Sequence, residues 1–281
     1  MFNRVTVVGP GLLGGSLCLA LDQNKLSDRI ILWARSRESC INAQKTFPFT
    51  EVKENLAESV AGSELVVICT PIETINGILK EIIPHLSKNA LVTDVGSVKK
   101  NICQVAEDLF KNTLASFIGS HPMAGSEKSG MKYADSNLFN SRPCIITPSS
   151  NQDERVNLLI KFWERLGMIV YEKNSTDHDY LMAELSHLPH LLASVLSHAL
   201  QDNKKNAKLL AGQGLRDTTR VAEGNPSLWS FILMANKQNL IKSINHFKLS
   251  LAEAEKILSN DNIEELNKYL EKGSFFRKSI E

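Results

Sequence analysis

What this chain lacks narrows it first. It has no long uninterrupted apolar run: the most apolar helical stretch, residues 181–200, is broken by Glu184, His187, Pro189, His190 and His198, which reads as a buried helix and not a membrane span. It has no charged leader followed by an apolar region, because a strand pattern starts almost at once, so no signal peptide is expected. It has no charge excess. Its 32 basic and 31 acidic side chains leave a formal net charge of +1, which argues against a nucleic-acid surface or an acidic partner. It has no C-x-x-C pair; Cys18, Cys40, Cys69, Cys103 and Cys144 are scattered, as expected of reduced thiols in a cytoplasmic protein. It has no internal repeat and no low-complexity tract.

What is present is an alternation. Short β-branched runs at residues 5–8, 30–33, 65–69 and 91–94, with shorter ones at 116–118 and 144–147, are separated by helical patterns such as 12–21. Unbroken apolar strands between helices predict a parallel sheet covered on both faces, hence a doubly wound α/β domain. A last step follows: a helix over 153–166, Gly167 as its cap, and a strand over 168–171. From about Thr176 strand signals vanish. Leu240, Ile244, Phe247, Leu251, Ala254 and Leu258 recur at helical spacing and mark one apolar face. The expected organisation is a Rossmann-type domain over 1–173 and a mainly helical substrate and dimerisation domain over 174–281. The helical part is thin for an independent core, so a homodimer sharing burial is expected.

Gly9-Pro10-Gly11-Leu12-Leu13-Gly14 is a G-x-G-x-x-G sequence that follows a strand and opens a helix, the context a dinucleotide site requires. Gly9 permits the tight turn, Gly11 lets backbone approach a pyrophosphate, and Gly14 lets helix pack on strand. NAD binders usually place a carboxylate at the end of the second strand. This chain has Arg35, Ser36 and Arg37 there, groups suited to a 2′-phosphate, so NADP is expected over NAD. Thr70 and Pro71, after the third apolar strand, are expected to line the same crevice.

Two further strand ends carry chemistry. Ser97 lies in Asp94-Val95-Gly96-Ser97-Val98-Lys99, and His121 opens His121-Pro122-Met123-Ala124-Gly125. An imidazole beside a nicotinamide site suits a general base for alcohol oxidation, and Ser97 suits a hydrogen bond to the hydroxyl or to that histidine. His187 and His190 lie three apart on one helical face, with Pro189 between them marking a helix start or kink. No third ligand is evident, so no metal is expected. Lys99 and Lys100 read as a solvated helix face.

Taken together, the glycine turn, the motifs around Ser97 and His121, Ser186-His187-Leu188-Pro189-His190 and Arg216-Asp217-Thr218-Thr219-Arg220 resemble the prephenate and arogenate dehydrogenases of tyrosine biosynthesis over nearly the whole chain. The resemblance implies His121 as catalytic base with Ser97 as its partner at the substrate hydroxyl. It implies Arg220 as the guanidinium for a substrate carboxylate, His187 and His190 as pocket residues, and Glu127 and Trp229 at the pocket entrance and wall. It also implies oxidative decarboxylation of prephenate to 4-hydroxyphenylpyruvate. Glu127 and His190 together tilt towards prephenate or dual use, whereas the arginines at 35 and 37 pull towards arogenate with NADP. No appended regulatory domain or fused chorismate mutase is expected, so tyrosine feedback would act at the active site.

Overall fold

Apolar residues in short unbroken runs are stable where a sheet is covered on both sides, and the first half of the chain is built that way. The structure, a computed structural model, describes residues 1–125, 128–149, 153–201 and 209–280. The elements begin with β1 (Phe2–Val8), α1 (Leu12–Gln23), β2 (Ser27–Trp33), α2 (Arg37–Thr46), β3 (Glu51–Lys53) and α3 (Leu56–Val60). They continue with β4 (Leu65–Ile68), α4 (Ile72–Ile82), β5 (Leu91–Asp94), α5 (Lys100–Phe110) and β6 (Ser116–Phe117). These strands form one parallel sheet in the order β3-β2-β1-β4-β5-β6. The order reverses between β1 and β4, which opens a crevice at their carboxyl ends.

Strand periodicity divides the core. Val5 and Val7 of β1 and Leu65 and Val67 of β4 join Leu17, Leu21 and Trp163 on one face of the sheet. Val8, Val66 and Ile68 join Ile75, Leu79 and Ile102 on the other. Alternate residues pointing to opposite faces produce this split.

The run read as a strand over 116–118 ends earlier than expected. β6 stops at Phe117, and a separate strand, β7 (Gly119–Pro122), starts a second sheet with β8 (Pro143–Thr147) and β9 (Ile169–Glu172). β7 runs antiparallel to β8, and β8 parallel to β9 across α6 (Asp153–Arg165). Gly119 allows the departure: a Cβ there would meet Thr147 Oγ1 at 2.6 Å and Cys103 Sγ at 3.0 Å. The expected cap after α6 is present, with Gly167 at φ +86°.

The helices that follow are α7 (Ser175–Met182), a π-helical segment Ala183–His187, α8 (Leu188–Ala199), α9 (Gln213–Thr219) and α10 (Pro226–Ala235). Last come α11 (Lys237–Ser259) and α12 (Ile263–Ser279). Packing divides the chain after Asn236, into units 1–236 and 237–281. Residues 174–201 and 209–236 therefore group with the sheets, and Asp179 is tied to the start of α5. In the second unit α11 and α12 form a helical hairpin pinned by Tyr269 Oη donating to the Ser250 carbonyl at 2.9 Å. Among the described residues no helix is long and apolar enough to cross a membrane.

Candidate active site

The glycine turn leaves the end of β1 at the sheet's point of reversal. Gly9 is at φ +109°, and its amide donates to the Trp33 carbonyl at 3.0 Å. A Cβ on Gly14 would lie inside the van der Waals envelope of the Gly9 carbonyl, so turn and helix touch there. Gly11 is different: among the described residues a Cβ would meet nothing within 4 Å. Gly11 is also the N-cap of α1, and among the described residues no side chain caps that helix. The amides of Leu12 and Leu13 thus open a helix N-terminus without a side-chain cap, beside open space, an arrangement that fits a pyrophosphate.

Thr70 follows β4 and packs on the turn; its methyl lies 2.9 Å from where a Gly9 Cβ would be. Its hydroxyl accepts from Thr74 Oγ1 at 2.8 Å, and Pro71 is the N-cap of α4. Arg35, Ser36 and Arg37 are exposed just beyond β2. Ser36 caps α2, its Oγ accepting from the Ser39 amide at 3.3 Å. Neither arginine forms an ion pair among the described residues.

His121 stands within β7, in the second sheet, and is buried. Its Nδ1 lies 2.9 Å from His178 Nε2, and His178 Nδ1 lies 2.8 Å from Asp179 Oδ1. The proton positions in this chain follow from chemistry. A carboxylate only accepts, so His178 Nδ1 carries a proton; neutral His178 then accepts at Nε2, and His121 donates from Nδ1. His121 Nε2 is left with a free lone pair. Burial holds the His121 pKa well below its ordinary value of 6.5, with the charges of His178, Lys99 and His187 adding to the effect. Burial also lowers His178, outweighing the opposing pull of Asp179. Both rings are therefore neutral near pH 7.

Asp179 is held in turn. Its carboxylate accepts from the Lys99 amide at 2.7 Å and the Lys100 amide at 3.0 Å, capping α5. Neither His178 nor Asp179 emerges from the motifs. The only signal is a His-Asp pair just after an Asn174 helix cap, 57 residues from His121. Ser97 is half-buried on the loop after β5, and its hydroxyl makes no hydrogen bond among the described residues. The histidine's Nδ1 partner in this structure is His178.

Lys99 is not the solvated residue expected. It is fully buried and ion-paired with Asp94, itself fully buried at the end of β5. The Asp94 carboxylate also accepts from the Gly96 amide at 2.9 Å and the Ser120 amide at 3.2 Å. Ser120 Oγ completes the network, 2.7 Å from Thr93 Oγ1 and accepting from Trp163 Nε1 at 3.1 Å. A carboxylate at a strand end needs a counter-charge once covered, and Lys99 supplies it. The network fixes the residue preceding His121. Lys100 is exposed, as expected.

The helical wall comes from the π segment and α8. Pro189 sits at the start of α8, directly after the π-helical segment and within a continuous helical run, where the change of helix type accommodates its missing N–H. His190 stacks on Trp229 at 3.6 Å and 9°, and His187 meets the same indole edge-on at 6.4 Å. Gly224 makes room for the stack: a Cβ there would be 2.6 Å from Trp229 Nε1. His187 Nε2 and His190 Nδ1 are buried without partners among the described residues. Arg220 is exposed at the start of a 3-10 turn, Arg220–Glu223. Glu127 lies outside the described residues.

Comparison with known proteins accords with this geometry. Residues 17–172 match the family model described as prephenate dehydrogenase, nucleotide-binding domain, and residues 174–272 match prephenate dehydrogenase, dimerization domain. A prephenate dehydrogenase of Lactococcus lactis is 30% identical over 99% of this chain and 78% of its own length. The crystal structure of prephenate dehydrogenase from Aquifex aeolicus in complex with hydroxyphenyl propionate and NAD+ is 30% identical, with a TM-score of 0.91 over 100% of this chain and 99% of that one. Synechocystis arogenate dehydrogenase is 32% identical, with a TM-score of 0.86 over 99% of this chain and 100% of that one.

Proposed function

The chain belongs to the prephenate dehydrogenase family, and from that premise we propose that it converts prephenate to 4-hydroxyphenylpyruvate and carbon dioxide by oxidative decarboxylation. The observation that carries this reading is the chain His121–His178–Asp179, which leaves a neutral imidazole with one free lone pair. His121 Nε2 takes the proton of the ring hydroxyl. His178 accepts the hydrogen bond from His121 Nδ1 and, anchored by Asp179, keeps the ring in the productive tautomer. A bound nicotinamide supplies the hydride acceptor. Loss of the ring carboxylate then makes the ring aromatic, so the residues must supply a base, orientation and carboxylate binding. Arg220, the exposed guanidinium of the helical part, is assigned to a substrate carboxylate, with Ser97 at the hydroxyl. His187, His190 and Trp229 form the pocket wall, and Glu127 its entrance.

Gly9, Gly11 and Gly14, with Leu12, Leu13, Thr70 and Pro71, are assigned to the dinucleotide. Exposed Arg35 and Arg37, free of ion pairs among the described residues, favour NADP, with Ser36 beside them. We assign nucleotide binding to residues 1–173, and substrate binding and dimerisation to 174–281. The helical part forms a homodimer, consistent with its match to a dimerization domain and with the exposed Leu251, Leu258, Phe275 and Phe276. A cytoplasmic enzyme of amino-acid biosynthesis is the corresponding setting.

The same arginines, and the similarity to an arogenate dehydrogenase, favour a second reading: use of arogenate with NADP. Both are tested by following nicotinamide reduction by the purified protein with prephenate and arogenate, each against NAD and NADP. Prephenate with NADP is expected to give the highest kcat/KM. Turnover in none of the four combinations overturns the assignment.

A further inference from the structure

The residues around Asp179 determine more than the state of His121. Asn236, the C-cap of α10, places its Nδ2 2.6 Å from the Asp179 carbonyl and 3.1 Å from His187 Nδ1. A backbone carbonyl is only an acceptor, so the atom facing it at 2.6 Å is the amide nitrogen and not the amide oxygen. That nitrogen has a second hydrogen, which points the same reasoning at His187. Facing a donor, His187 Nδ1 is the acceptor, and the ring's single proton is on Nε2. This Nε2 is the atom that is fully buried and has no partner among the described residues.

We propose that Asn236 is a positioning residue that fixes His187 as a neutral imidazole protonated on Nε2, so that His187 donates to a carboxylate or carbonyl oxygen of the bound substrate. The proposal rests on the dehydrogenase reading above. A buried N–H without an acceptor is costly, and a ligand oxygen removes that cost. The ring borders the Trp229 wall, on which His190 is stacked. Burial lowers the His187 pKa to about 4, so the ring stays neutral at working pH.

Asp179 then sets both histidines with opposite polarity. Its carboxylate acts through His178 and leaves His121 Nε2 an acceptor. Its carbonyl acts through Asn236 and leaves His187 Nε2 a donor. A substrate with a hydroxyl to deprotonate and an oxygen to hold meets one of each. An ammonium group finds no acceptor in His187.

The test begins on the ligand-free full chain with ¹⁵N-labelled histidine. Long-range ¹H–¹⁵N spectra near neutral pH should show His187 neutral and protonated on Nε2; a proton on Nδ1 overturns the proposal. N236D puts acceptors where the amide stood and should move the proton to Nδ1; an unchanged tautomer counts against Asn236. In steady state N236D should raise KM for prephenate about tenfold, the value of one hydrogen bond, while kcat changes less than threefold. A shifted tautomer with an unchanged KM removes the donor role. If N236D does not fold, His187→Gln, which keeps an N–H, is compared with His187→Leu, which does not. Gln should hold the lower KM, and equal values reject the donor. Because the tautomer is read without substrate, failure of the wild-type protein to turn over prephenate strikes the dehydrogenase reading alone.

Discussion

His121 is a neutral acceptor because burial and nearby positive charge hold its pKa well below 6.5. Its acid limb in kcat/KM should therefore lie below that value, and a limb at or above it would show that another group is being titrated. Replacing His121 by Asn keeps much of the shape and removes the base; kcat should fall by roughly 10²–10⁴-fold. Lys99 makes the opposite kind of residue-scale case. Lys99→Met leaves the fully buried Asp94 without its counter-charge, which should cost about 3–5 kcal/mol in denaturant unfolding. Adding Asp94→Asn should recover part of that loss. No recovery would mean that the lysine acts through its packing alone. His121 was legible as the candidate base because it opens a motif. Lys99 was misread because two lysines in a row look like a solvated face until a strand-end carboxylate is known to lie under one of them.

At the scale of the element, the opening turn separates two uses of glycine. Gly14 exists for contact within the protein, since any Cβ collides with the Gly9 carbonyl. Gly11 has open space where a Cβ would go. Gly14→Ala should therefore lower Tm markedly, whereas Gly11→Ala should leave Tm within a degree or two and weaken dinucleotide binding. Thermal melts with and without NADP distinguish the two; equal losses of Tm would mean that Gly11 serves the fold. The alternation of strands and helices was equally readable, being local. The second sheet was not: β7 is short, begins at a glycine and ends at a proline, and pairs with a strand reached only after residues 123–142.

Across the molecule, the buried histidines should make the fold acid-sensitive. His187 binds its proton at about 4 in the folded chain against 6.5 for an unperturbed imidazole, and His121 and His178 are lowered as well. Between those values the unfolded chain binds more protons than the folded one, so stability falls as pH drops from 6.5 towards 4. These groups contribute no slope above that window. Tm measured from pH 8 to 4 should be flat and then decline; His187→Gln should make the decline shallower, and an unchanged slope would place the acid sensitivity elsewhere.

The sequence by itself determined the glycine turn and the parallel sheet and singled out His121 as the candidate base, because each depends on neighbours within one strand–turn–helix step. Only the tertiary structure decided what His121 leans on. His121 and His178 are 57 residues apart, and Asp179 reaches the Lys99 amide across 80. No local periodicity encodes such pairs. Proton positions on His121 and His187 follow from which acceptor or donor the fold brings to each ring nitrogen, and a linear sequence has no expression for that.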